Sequence, residues 1–226
     1  MIFPSQPRLI KVFIFALSLL VLAVCYFCWR WGGADVTSYS VKYSIERWQK
    51  DPTKVSVSDI DAVLAKTDTM INAWPQRAEY YDLKAKVLWY RAVVAKTPTE
   101  ANPFLLDAIE MHDHAISLRP QWPYSWSSRS LLKSYVGQLD DDFYLGFDAA
   151  AKYGPWEKSS NLMLLEAGLV SWGEIGSRYT SLTVQAAERA AAHDPQSVKV
   201  LLKKYGKKYP VCSQMQISPR QTKACS

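Results

Sequence analysis

The chain has 226 residues, 49% of them hydrophobic and 13% aromatic, and a formal net charge of +6. That length accommodates one ordinary domain plus an appendage, and that apolar content excludes a disordered chain, which cannot bury enough surface to offset its ordering entropy. The positive charge belongs to the two ends: Arg30 to Val198 carries 18 basic and 21 acidic residues, a net of −3, whereas seven basic residues and no acid follow from Lys199 onward.

Val12 to Trp29, "VFIFALSLLVLAVCYFCW", is 18 residues without a charge. At ~1.5 Å per residue a helix of that length crosses a bilayer core. Arg8, Lys11 and the amino terminus precede it, which favours a cytoplasmic N-terminus and an exported remainder. A cleaved signal peptide is the rival reading, but the run is long for one and bulky Tyr26, Phe27 and Trp29 stand where small residues are needed. The expectation is a single-pass anchor at 12–29, with residues 1–31 as tail and anchor, a cytoplasmic N-terminus and an exported remainder.

After the anchor, "GGADVTSYSVKYS" reads as a linker, 32–56, with a short helix around Ile45 to Gln49. From Val57 the pattern is helical to about residue 208, with no hairpin signal. Ser58 is an N-cap candidate ahead of "DIDAVLAKTDTMINAW", which stops at Pro75. Leu83, Val87, Tyr90 and Val94 form an apolar stripe of helical period. Asn102 and Pro103 read as cap and first residue of a helix that ends at Pro120. Beyond it come a helix from Pro123 to near Gly137, one opened by the acids Asp140 to Asp142, and one with Leu162, Leu165, Leu169 and Trp172 on a stripe. A helix ending at Pro195 and a basic one from about Ser197 to Lys207 complete the pattern.

Prolines punctuate these segments at 75, 120, 155 and 195, separations of 45, 35 and 40. Two helices per unit at such a recurrence predict a solenoid of the tetratricopeptide (TPR) type, whose unit is about 34 residues. The irregular spacing predicts a degenerate, TPR-like antiparallel array over 57–208, so the fold class is all-α.

The stretch "LRPQWPYSWSSRSLL" lies at one such corner. Trp122 and Trp126 are four apart and share a face if the helix has begun by Trp122. Stacking between units would bury them, at roughly 150–250 Å² per aromatic; the alternative is an exposed aromatic ligand platform. "RPQWPYSW", followed by "YGPWE" and "LEAGLVSW", resembles the VpsP family, membrane-anchored proteins associated with bacterial exopolysaccharide biosynthesis, and the TPR-like accessory proteins of such systems. The resemblance implies a pathway and a compartment, not a reaction.

Cys212 and Cys225 are the only cysteines outside the anchor, and an oxidising compartment would let them close the basic tail, 209–226, into a loop. The tail's basic residues suit a solvated surface, lipid head groups or an acidic polymer; export argues against nucleic acid. His112 and His114, two apart on a helix, point away from each other and form no metal pair. No P-loop, nucleophile elbow or dinucleotide fingerprint occurs, so no catalytic, metal or cofactor residue is assigned.

The helical pattern predicts a non-enzymatic scaffold whose helical face binds a protein segment or a glycan through Trp122, Trp126, Trp156 and Trp172, and the resemblance implies that it supports exopolysaccharide assembly or export from a bacterial inner membrane, with the bulk in the periplasm. A glycan-modifying or glycan-cleaving enzyme of the same pathway is the alternative, together with an envelope scaffold unrelated to polysaccharide.

Overall fold

The computed structural model describes residues 7–51, 55–216, 218 and 222–226. The first six residues, residues 52–54 of the expected linker and Arg220 of the basic tail lie outside them. Eleven helices and no strand occur among the described residues, so the chain is all-α with one long apolar N-terminal helix.

That helix, α1 (Pro7–Lys50), is unbroken. Its apolar portion has the length and composition to cross a membrane and buries nothing inside the protein. Where the sequence suggests a linker, the helix continues through Gly32 and Gly33 to Lys50. Two glycines weaken a helix by about 1 kcal/mol each, but Ala34, Ser38, Val41, Ile45 and Trp48 form a buried stripe that more than offsets this. The stripe packs on α2 (Val57–Ala73) and α3 (Ala78–Val93). Arg30 Nη2 donates to the Asn72 carbonyl at 2.6 Å, and Trp31 stacks on Trp74 with ring centroids 5.0 Å apart. The globular part is thus held to α1 at its first corner.

From α2 onward each helix packs on its chain neighbour. α3 pairs with α4 (Pro98–Leu118), α5 (Pro123–Tyr135) with α6 (Asp141–Tyr153) and α7 (Lys158–Val170), and α7 with α8 (Ser177–His193). Two starts differ from the sequence reading. Ser56, not Ser58, caps α2 by accepting the Asp59 N–H. Helix α4 begins at Pro98, with Thr97 accepting from Glu100 N, and carries Pro103 inside it. A Thr-x-x-Glu cap with proline at the first position is a stronger start than Asn-Pro.

The four proline corners share one backbone. Trp74, Arg119, Gly154 and Asp194 all have φ between −145° and −133° and ψ between 50° and 79°, outside the α region that a following proline disfavours. At the first three, that residue's carbonyl accepts an N–H from three residues on, from Arg77, Trp122 and Glu157 at 3.1–3.2 Å, closing a turn with proline second. Six residues after each of these prolines, a side chain returns to its carbonyl. Tyr81 Oη donates to Pro75 O at 3.1 Å, Trp126 Nε1 to Pro120 O at 2.8 Å and Asn161 Nδ2 to Pro155 O at 3.0 Å. Three chemically different residues do the same work.

The last layers are closely packed. Added side-chain atoms at Gly168 would collide with Thr183, so α7 and α8 meet with no room between them. Phe143, Phe147, Leu164, Leu165, Val184 and Leu202 centre this core. The tail folds onto it: Val211, Met215 and Ala224 are buried, and Cys212 and Cys225 are disulfide-bonded with Cα atoms 5.9 Å apart. Short helices α10 (Lys208–Cys212) and α11 (Thr222–Cys225) flank α9 (Pro195–Lys204).

Candidate functional site: an aromatic groove lined by alternate helices

A groove of about 860 Å³ runs across one face of the molecule. The odd-numbered helices α1, α3, α5 and α7 supply nearly all of its wall, with the Arg119–Trp122 corner between them. Trp89, Tyr90, Trp122, Tyr124 and Tyr135 bring rings to it, and Leu83, Leu131 and Met163 add apolar floor.

At its centre lies a polar node on Asp82. The carboxylate accepts from His112 Nδ1 at 3.0 Å, from Ser125 Oγ at 2.8 Å and from Arg119 Nη2 at 3.1 Å. Burial by itself pushes the Asp82 carboxyl up, but the bonds from His112 and Ser125 and the charge of Arg119 outweigh it and hold the group below the usual carboxylate range. Asp82 therefore acts as a permanent acceptor. It joins α3, α4 and α5 and aims Arg119, whose guanidinium lies 3.9 Å from the centre of the Trp122 ring. That cation fixes the tryptophan as a platform, and Trp122 remains 38% exposed.

At the other end of the groove Glu166 Oε1 accepts from Lys204 Nζ at 2.7 Å and from Tyr205 Oη at 2.8 Å. Burial and the nearby Glu166 charge raise the Tyr135 hydroxyl far above its ordinary value, so it stays a neutral hydrogen-bonding group. Tyr124 donates a hydrogen bond to Glu157, which with burial pushes its hydroxyl up to about 12. Lys42 pairs with Glu79 at 2.6 Å. Lys86 alone of the wall's charged side chains has no partner among the described residues.

Of the four tryptophans singled out by sequence, only Trp122 lines the groove. Helix α5 begins at Pro123, so Trp122 is its cap residue and does not share a helix face with Trp126. Trp126 is half-buried against the α6–α8 core while its indole N–H holds the corner. Trp156 is 74% exposed and lies off the groove, and Trp172, beyond the end of α7, packs on the core. Sequence reading passes over Asp82 and Trp89, considers His112 only as a metal ligand and quotes Arg119 only within the corner motif. Trp89 neighbours the recognised Leu83–Tyr90 stripe, a signal that was present; the Asp82 node joins residues 30 to 43 apart in the chain and left none.

Comparison of the chain with protein-family models, with curated proteins and with solved structures returns no match.

Proposed function

We propose that this chain is a non-enzymatic, membrane-anchored interaction protein whose groove takes an extended segment of a glycan or of a protein partner in exopolysaccharide assembly or export. The observation that carries this reading is the groove itself: rings presented by alternate helices, with its central carboxylate held ionised by three donors. A glycosidase needs a carboxyl group that keeps its proton near neutrality, and Asp82 is tuned the opposite way. A wall made of every second helix is the inner surface expected of a TPR-like array. Stacking faces beside fixed acceptors and donors suit sugar rings, which offer apolar C–H faces and hydroxyl edges. The resemblance of "RPQWPYSW" and "LEAGLVSW" to the VpsP family supports the pathway. The Cys212–Cys225 bond suits an oxidising periplasm, and the charges before the apolar run favour a cytoplasmic N-terminus in the inner membrane.

The test is photo-crosslinking in intact cells from a benzoylphenylalanine placed at Tyr124, in the wall, and at Trp156, off it. Adducts to polysaccharide-assembly proteins or to glycan from position 124, absent from position 156, are expected. Adducts of equal yield from both positions, or none, would overturn the reading.

A further inference from the structure

The face of α1 opposite its buried stripe is unoccupied beyond the membrane as well as within it. Val36 is 71% exposed and Tyr39 and Tyr43 are each 68% exposed, all C-terminal to Arg30 and so beyond the uncharged run. At 100° per residue they lie about 180° from Ala34, Val41 and Ile45, which bind α2 and α3. They also continue a heptad that starts inside the apolar run. Phe15, Leu22, Trp29, Val36 and Tyr43 recur every seven residues, and Ser18, Cys25, Gly32 and Tyr39 recur at the intervening offset. The stripe runs for four heptads on one uninterrupted helix, large residues on one register and small Ser18, Cys25 and Gly32 on the other, a length and a mix that let two helices pack along it.

We propose that a second copy of this chain occupies the stripe, giving a parallel dimer through α1. Copies inserted in one membrane share an orientation, so each seam residue meets its own counterpart, and any charge would oppose a like charge. From Phe15 to Tyr43 the seam contains none; Arg8 and Lys11 precede it in the same registers and Glu46 follows. The large residues of the seam are exposed enough for two copies to bury on the order of 1,000 Å² in total, the scale of a specific interface. Gly32 fits the same geometry. A side chain there, as at neighbouring Gly33, would meet nothing within 4 Å of its own chain, so the fold itself requires glycine at neither position; Gly32 is the one on the seam, where a small residue lets a second helix come close. The domains then stand on the outer sides of the paired helices, with both grooves open.

Cys25 lies on the seam and Cys28 off it, and both thiols are free while Cys212 and Cys225 are bonded to each other. Mild oxidation of membranes containing the full chain is expected to yield a species of twice the chain mass. Cys25→Ser should remove it and Cys28→Ser should leave it. Gly32→Leu should lower its yield at least tenfold with an unchanged circular dichroism spectrum, and Tyr39→Cys in a background lacking Cys25 and Cys28 should restore it. Equal crosslinking from both cysteines, a product only of another mass, or indifference to Gly32→Leu would overturn the dimer. None of these readouts depends on what the groove binds.

Discussion

The second and third corners, Arg119–Trp126 and Gly154–Asn161, have similar backbones and each place a tryptophan within two residues of the proline, in "RPQWPYSW" and "GPWEKSSN", yet they use tryptophan for different ends. In the second, the ring two residues after proline faces the groove and the ring six residues after it holds the turn. In the third, the tryptophan follows proline directly, and its ring is left in solvent while Asn161 holds the turn. The recurring feature is a donor at the sixth position, with Tyr81 filling it at the first corner. The aromatic richness of the corners is therefore two separate properties, one architectural and one of the groove.

The sharpest way to break the second corner is to remove its acid. Asp82→Ala leaves buried His112 and Ser125 and half-buried Arg119 without their common acceptor, and should cost about 3 kcal/mol of unfolding free energy by urea titration. The third corner has no equivalent node, since Gly154 stands where Arg119 does. Its weak point is Asn161, whose amide also donates to the Glu157 carbonyl at 2.9 Å. Asn161→Ala should cost about 2 kcal/mol by removing the amide that ties the Pro155 and Glu157 carbonyls together. Trp126→Phe, which keeps the ring against the core and deletes only the N–H, should cost about 1 kcal/mol. A larger loss from Trp126→Phe than from Asn161→Ala would refute the equivalence of the two donors.

Acid sharpens the same contrast. Because the folded-state pKa of Asp82 is depressed, its contribution is present above the unfolded value of about 3.9 and is lost as pH falls through the lower folded value. Stability should therefore decline below about pH 4, and Asp82→Asn should flatten part of that decline. Asp140 and Asp194 leave a residual slope. Burial opposes a low value at Asp140 and is outweighed by Lys133 and the Phe143 N–H, while Asp194 is lowered first by the Ser197 N–H. Urea midpoints of the two proteins between pH 2.5 and 6 read the difference; parallel curves would remove Asp82 from the account.

Helix periodicity and proline position made most of the helices legible, because both act through neighbours in the chain. The stripe of Leu83, Val87 and Tyr90 is buried as its spacing requires. The linker reading failed at Gly32–Gly33 because local propensity is silent about α2 and α3, which bury the other face of that segment. Trp122 was recognised as a corner residue, but its outward fate depends on Arg119 and Asp82, which meet across 37 residues. Tyr81, Trp126 and Asn161 share a position and a task without sharing a chemical class, so a search for similar residues passes over them; a search for donors at a fixed distance from proline would have found them.

The smallest effects on stability separate the two properties most cleanly. Trp156→Ala removes an exposed ring that touches neither core nor groove, and should change the unfolding free energy by less than about 0.5 kcal/mol, as surface substitutions do. Trp122→Ala removes a ring stacked on Arg119, a contact of about 0.5–1 kcal/mol at such a site, and should leave the domain nearly as stable. The two variants then differ where stability cannot report. If the groove-facing ring is a binding platform, Trp122→Ala should weaken capture of whatever crosslinks to position 124 by tenfold or more, with Trp156→Ala indistinguishable from the parent. If both variants bind alike, the ring at the second corner only shields the Asp82 node, and its exposure is a by-product of capping α5.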